Sequence, residues 1–181
     1  MLKISLLLAG ALTMLHAAAT YADPVVIREA GGHVTEATTV VDATPSQIYA
    51  LVTDYTHWPG LLGDVRAVKV EAGGRDDGRV RFHSDAFDND VTVQFDNQPD
   101  RAVRFKGVNG PPGGRASGSY VFEAVDGGRR TRVVASLYLD VVGLARLFVS
   151  DDKLQEMREA KLRADMTDVV HRLEPRGQGS G

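Results

Sequence analysis

The stretch TPSQIYALVTDYTHWPGLLGDV, Thr44 to Val65, decides the fold. Thr44 stands at an N-cap position, Pro45 at the first helical position, and Gln47, three residues after Thr44, completes a capping box. Ile48, Leu51 and Val52 recur at i, i+3 and i+4 with Tyr49 beside them, the apolar stripe of a helix laid on a core. Trp58-Pro59 stops the run, because proline disfavours helical backbone at the residue before it. Leu61 and Leu62 then begin a second short apolar turn.

Upstream, HVTEATTVVDA (33–43) alternates and is rich in β-branched residues, so it reads as a strand. Downstream, six more apolar runs are separated by turn signals. VRAVKVE leads to AGGRDDG, RVRFHS to DAFDND, VTVQF to DNQPD and RAVRFKG to VNGPPGGRASG; GSYVFEAV and RTRVVASLYLDVV are joined by DGG. From Ser150 to Glu174 the period changes to that of a helix. Ser150 is its cap, Asp151 and Asp152 lie in its first turn, and Leu162, Met166, Val169, Val170 and Leu173 form its apolar stripe. Pro175 ends it, and RGQGSG within 175–181 is expected to be a disordered tail.

One strand, two short helices, six strands and a long final helix make an α+β order with an antiparallel meander. The pattern VVDATPSQIYALVTDYTHWPGLLGDVRAVKV, followed by that meander and helix, resembles the START/polyketide cyclase (SRPBCC) superfamily. This is the helix-grip fold that also includes the major birch pollen allergen and coenzyme-Q-binding proteins. The resemblance spans residues 33–173 and rests on D-A-x-P at Asp42–Pro45, the Ile48-Tyr49 pair and D-x-x-x-W-P at Asp54–Pro59. It implies a seven-stranded curved sheet wrapping the C-terminal helix, with a tunnel between them for lipids, sterols, polyketides or other apolar molecules. Members of such a family share a cavity and not a chemistry.

The first residues, MLKISLLLAGALTMLHAAATYA, carry one Lys, an apolar run and a small residue at the end, as a secretory signal peptide does. Cleavage is expected after Ala22, with Ala19 the competing position, leaving a segment 23–32 and one domain over 33–174. Removing residues 1–22 leaves 20 basic against 24 acidic residues, a balance that points away from nucleic acid. The remaining 159 residues are one domain's worth. The chain has no cysteine, which removes thiolate catalysis, Cys-based metal sites and a disulfide scaffold. A periplasmic or secreted monomer is the expectation.

Alternation places Val80, Phe82 and Ser84 on one strand face and Arg79, Arg81 and His83 on the other. Val91, Val93 and Phe95, then Val103 and Phe105, then Tyr120 and Phe122 continue the apolar face. The last strand stays open between Val133, Ala135, Leu137 and Leu139 on one side and Val134 and Tyr138 on the other. Candidate cavity residues are therefore Tyr49, Trp58, Phe82, Ser84, Phe95, Phe105, Tyr120 and Phe122, with Leu162 and Met166 from the helix. Ser84, Tyr49, Tyr120 and Tyr138 are the polar candidates.

No catalytic set emerges. His33, His57, His83 and His171 lack metal-ligand spacing, so neither a metal nor another cofactor is called for. His83 and Asp85 flank Ser84 but point away from its face, which excludes a Ser-His-Asp device. An enzyme would have to draw a general acid or base from His83, Asp85, Tyr120 and Tyr138. EAGGRDDG lacks a phosphate-loop pattern and reads as a hairpin turn, while VNGPPGGRASG reads as a solvated loop or a flap over the tunnel mouth. Leu144, Leu147, Phe148 and Val149 are expected to pack on the core, the alternative being a short helix that closes the cavity or makes a transient membrane-surface contact. The composite expectation is a carrier for a hydrophobic small molecule. The alternatives are a cyclase or dehydratase using the same cavity, and a cell-envelope interaction module.

Overall fold

In a computed structural model the protein is described over residues 22–86 and 88–173. The signal-peptide reading of residues 1–22, apart from Ala22, and the tail reading of 175–181 lie outside the described residues. The elements in chain order are β1 (Val26–Gly31), β2 (Val34–Val41), α1 (Pro45–Val52), a 3-10 turn (Tyr55–Gly60), β3 (Val65–Ala72), β4 (Arg79–Ser84) and β5 (Asn89–Phe95). They continue with β6 (Ala102–Asn109), β7 (Gly114–Val125), β8 (Arg130–Val141), a 3-10 turn (Gly143–Leu147) and α2 (Asp151–Leu173). All strands join one antiparallel sheet in the order β1-β2-β8-β7-β6-β5-β4-β3, curved around α2 in the helix-grip arrangement.

The capping box forms as its residues dictate. The Gln47 amide donates to Thr44 Oγ1 at 3.3 Å, and the Thr44 amide donates to Gln47 Oε1 at 2.8 Å. Trp58 then turns back, and its indole N–H donates to the Val52 carbonyl at 3.0 Å, satisfying a helix-end acceptor that would otherwise be buried unpaired. Asp54 ties down the same turn, accepting from Thr56 at 3.1 Å and pairing with His57 at 2.8 Å; the hydrogen bond from His57 holds its carboxyl below the usual range.

The sheet has eight strands rather than seven. The additional one is β1, from the segment 23–32, which hairpins onto β2 through Gly31, Gly32 and His33, all at positive φ (82°, 59° and 61°). Its alternation is weak because it is an edge strand with most of its side chains in solvent. β7 also begins earlier than its apolar run, at Gly114, so the second half of VNGPPGGRASG is strand. Small residues are required there. A Cβ on Gly118 would lie 2.3 Å from the Ser136 carbonyl oxygen and 2.7 Å from the Phe105 ring, so its absence makes room for that ring.

The core faces the concave side. Val133, Ala135, Leu137 and Leu139 are buried, which settles the facing of β8. Tyr55, Trp58, Phe82, Phe95 and Phe105 form a chain of rings with centroids 4.6–6.3 Å apart, the Tyr55–Phe95 pair stacked and the Trp58 contacts edge-on. Such pairs add about 0.5–1.5 kcal/mol each beyond burial.

α2 departs from its expected stripe. Ser150 caps it, accepting from the Lys153 amide at 3.2 Å, but its buried face carries Arg158 and Asp165 among Leu154, Leu162, Met166 and Val169. Residues 158 and 165 are seven apart, two turns along one face. Arg158 donates to Thr35 Oγ1 at 3.0 Å, to the Leu139 carbonyl at 3.3 Å and to Glu29 of β1 at 3.3 and 3.4 Å. Thr35 in turn donates to Glu29, so α2 is clamped to the β1–β2 edge.

Candidate functional site: a cavity with a polar seam

Between the sheet and α2 lies a cavity of about 140 Å³. Phe82 and Ser84 of β4, Val91, Val93 and Phe95 of β5, and Val103 and Phe105 of β6 form one wall. Ala116 and Tyr120 of β7 and Leu137 and Leu139 of β8 form the other. Val52, Trp58, Leu61, Leu62 and Val65 close one end, so the stretch that decides the fold also stops the container. A second chamber of about 410 Å³ adjoins it, sharing Val91, Ala116 and Leu139, and is bounded by residues 107–115 together with Val149, Leu154 and Met157. The hairpin above it is docked rather than free. Gly113, at φ 77°, accepts from the Val142 amide at 2.8 Å, and a Cβ there would sit 2.5 Å from the Val142 carbonyl oxygen.

Where α2 meets the cavity the lining turns polar. Lys161 and Asp165, one helical turn apart, pair at 2.6 Å, and Lys161 also reaches Asp64 at 2.9 Å, just before β3. The Tyr120 hydroxyl donates to Asp165 Oδ2 at 3.3 Å, and Ser84 Oγ donates to Asp64 Oδ2 at 3.2 Å. Five side chains from four separate parts of the chain thus form one connected seam, and four of them, all but Asp64, line the cavity.

Burial sets the protonation of this seam. It pushes the Asp165 carboxyl up against the opposing pull of Lys161, so the group holds its proton more tightly than an exposed aspartate. Burial also pushes the Tyr120 phenol well above its ordinary value, with the Asp165 and Asp64 charges adding to the effect. Burial opposes the Lys161 charge, but the carboxylates of Asp165 and Asp64 more than offset it, and the ammonium is held.

Of the residues expected at the cavity, Trp58, Phe82, Ser84, Phe95, Phe105, Tyr120 and Leu162 line it together. Tyr49, Phe122 and Met166 are buried but belong to the surrounding core. Tyr49 leans away, its hydroxyl donating to Asp76 at 2.5 Å in the β3–β4 turn; Met166 sits at the edge of the α2 face whose centre carries Leu162, Asp165 and Val169. Among the acid-base candidates only Tyr120 reaches the cavity. His83 lies on the opposite sheet face, 3.2 Å from Asp90, Asp85 pairs with Arg66 at 2.5 Å, and Tyr138 donates to Asp140 at 3.2 Å. Lys161, Asp165 and Asp64 were absent from the sequence candidates. The available signal was a charged residue, Asp165, in the middle of an apolar helical stripe.

Among the described residues no group of three or more His, Cys, Asp or Glu side chains is placed to hold a metal ion. The model of the family described as "Polyketide cyclase / dehydrase and lipid transport" matches residues 32–176. The chain belongs to this family. No curated protein matches it in sequence. Among solved structures, a START superfamily protein from Mycobacterium smegmatis superposes with a TM-score of 0.69 at 15% identity, covering 79% of this chain and 98% of that one. The Zhui aromatase/cyclase from a Streptomyces species superposes with a TM-score of 0.67 at 22% identity, covering 82% and 97%. At these identities the likeness is one of fold. A hydrophobic ligand-binding or cyclase function is what family and fold together support.

Proposed function

We propose that this family member is an exported carrier that holds a lipid-like or other hydrophobic small molecule between its sheet and α2. The observation that carries this reading is the cavity itself: a walled space of about 140 Å³ with apolar side chains on nearly every side, continued by a second chamber toward the 107–115 hairpin. Solid cores leave few voids larger than a water molecule, so a space of this size is suited to an apolar occupant. Export is supported by the apolar leader-like run ending at Ala22. Leu144, Leu147 and Phe148 are 80%, 76% and 86% exposed on the turn before α2, where the Ala145 methyl approaches Gly113 of the hairpin. That apolar knuckle is suited to a transient membrane-surface contact beside the second chamber. Native mass spectrometry of protein purified from the periplasm tests the reading. A co-purified apolar molecule released by solvent extraction is expected; protein that is retained in the cytoplasm and always empty would overturn it.

The second reading, a cyclase or dehydratase, is favoured by one observation: two titratable groups of the cavity are in contact, the Tyr120 hydroxyl donating to the Asp165 carboxyl. Burial raises the pKa of both, the direction that a general acid needs. Turnover of a polyketide-like substrate that Tyr120→Phe abolishes would establish it over the carrier reading.

A further inference from the structure

We propose that Lys161 recognises a neutral oxygen atom, a carbonyl or hydroxyl carried by an otherwise apolar ligand of the main cavity. This rests on the binding reading above and assigns the polar end of the molecule bound.

An ammonium carries three protons. Two of those on Lys161 go to Asp64 Oδ1 at 2.9 Å and to Asp165 Oδ1 at 2.6 Å, and the third has no acceptor among the described residues. The neighbouring hydroxyls already donate elsewhere, Ser84 to Asp64 and Tyr120 to Asp165. Lys161 lines the cavity with 21% of its side chain exposed, so its remaining proton is open to water or to an acceptor in the cavity. An ammonium proton left unmade in an apolar setting is costly, and a bond to a charged donor is among the stronger neutral-ligand contacts.

Charge narrows the partner. Two carboxylates surround one ammonium, so the seam has no surplus positive charge, and an incoming carboxylate or phosphate would be desolvated without compensation. A pure hydrocarbon would leave the Lys161 proton unmet. A ketone, quinone, ester or alcohol oxygen meets it without adding charge. Size sets the probe: a cavity of about 140 Å³ is close to the roughly 150 Å³ apolar cavity known to admit a benzene-sized ring.

Four one-ring probes separate the head groups: cyclohexanone, cyclohexanol, methylcyclohexane and cyclohexanecarboxylate. Binding at pH 7 is read by calorimetry and by the fluorescence of Trp58, the chain's one tryptophan, which lines the cavity. Lys161→Met is expected to weaken cyclohexanone and cyclohexanol about tenfold and to leave methylcyclohexane within about twofold. Wild-type protein is expected to bind cyclohexanecarboxylate more weakly than cyclohexanone. If Lys161→Met folds poorly, the double variant Lys161→Met/Asp165→Leu replaces the pair by apolar groups of similar volume and should show the same selective loss. Equal effects on oxygenated and hydrocarbon probes, or tightest binding of the carboxylate, would overturn this inference alone. Wild-type protein that binds none of the four would overturn the binding reading with it.

Discussion

Two charged clusters sit along the inner face of α2, one around Arg158 and the other around Lys161 and Asp165, and they are finished differently. Arg158, with 3% of its side chain exposed, spends its guanidinium on Thr35, the Leu139 carbonyl and both oxygens of Glu29. It lines neither chamber, and its planar fork matches a fixed set of acceptors. Lys161 answers two carboxylates with two protons and keeps a third at the cavity wall. The difference teaches how to sort buried charges in this molecule: a saturated group clamps the scaffold, and an unsaturated one at the cavity wall is the candidate for ligand recognition.

The largest expected effect tests the clamp. Arg158→Met should lower stability by about 3 kcal/mol in urea unfolding, the low end for breaking a buried pair, because Glu29 is 32% exposed and partly rehydrates. Probe binding per folded molecule should be unchanged. Lys161→Met should cost about half as much, about 1.5 kcal/mol, because Asp165 relieves its lost partner by taking up a proton. A loss as large as that of Arg158→Met would break the comparison. Thr44→Ala, at the α1 cap far from both clusters, should cost about 1 kcal/mol and leave probe binding intact, which calibrates a purely local loss.

The smallest effect is a slope rather than a loss. The Asp165 carboxyl is raised above 3.8 by burial, so the folded state binds its proton more tightly than the unfolded chain. Its contribution to stability is full below that unfolded value and is lost as pH rises through the folded one. Asp165→Asn, which does not titrate, should therefore gain on wild type as pH increases from about 4. Chemical denaturation across that range checks it; a variant that loses ground to wild type as pH rises would contradict the direction.

The elements whose physics is local were legible from the residues. Thr44, Pro45 and Gln47 announced α1, Trp58-Pro59 its end, and alternation placed Phe82, Ser84, Phe95, Phe105 and Tyr120 on the concave face. β1 was not legible, because an edge strand with solvent on most sides carries no apolar alternation. The early start of β7 was hidden by residues small enough to read as loop, though Gly118 is small because Phe105 packs over it.

The sequence by itself determined the order of elements, the concave face and the apolar character of what lies under α2, since periodicity and capping act over a few residues. Only the tertiary structure decided which buried side chains border space and which fill it. Tyr49 and Trp58, nine residues apart, part company: one bonds Asp76 and the other plugs the cavity. The polar seam likewise needed the fold, because Asp64, Ser84, Tyr120, Lys161 and Asp165 meet through strand register and helix docking. A hydrogen bond spans about 3 Å wherever its partners fall in the chain, and no local pattern records a pairing over 97 residues, as between Asp64 and Lys161.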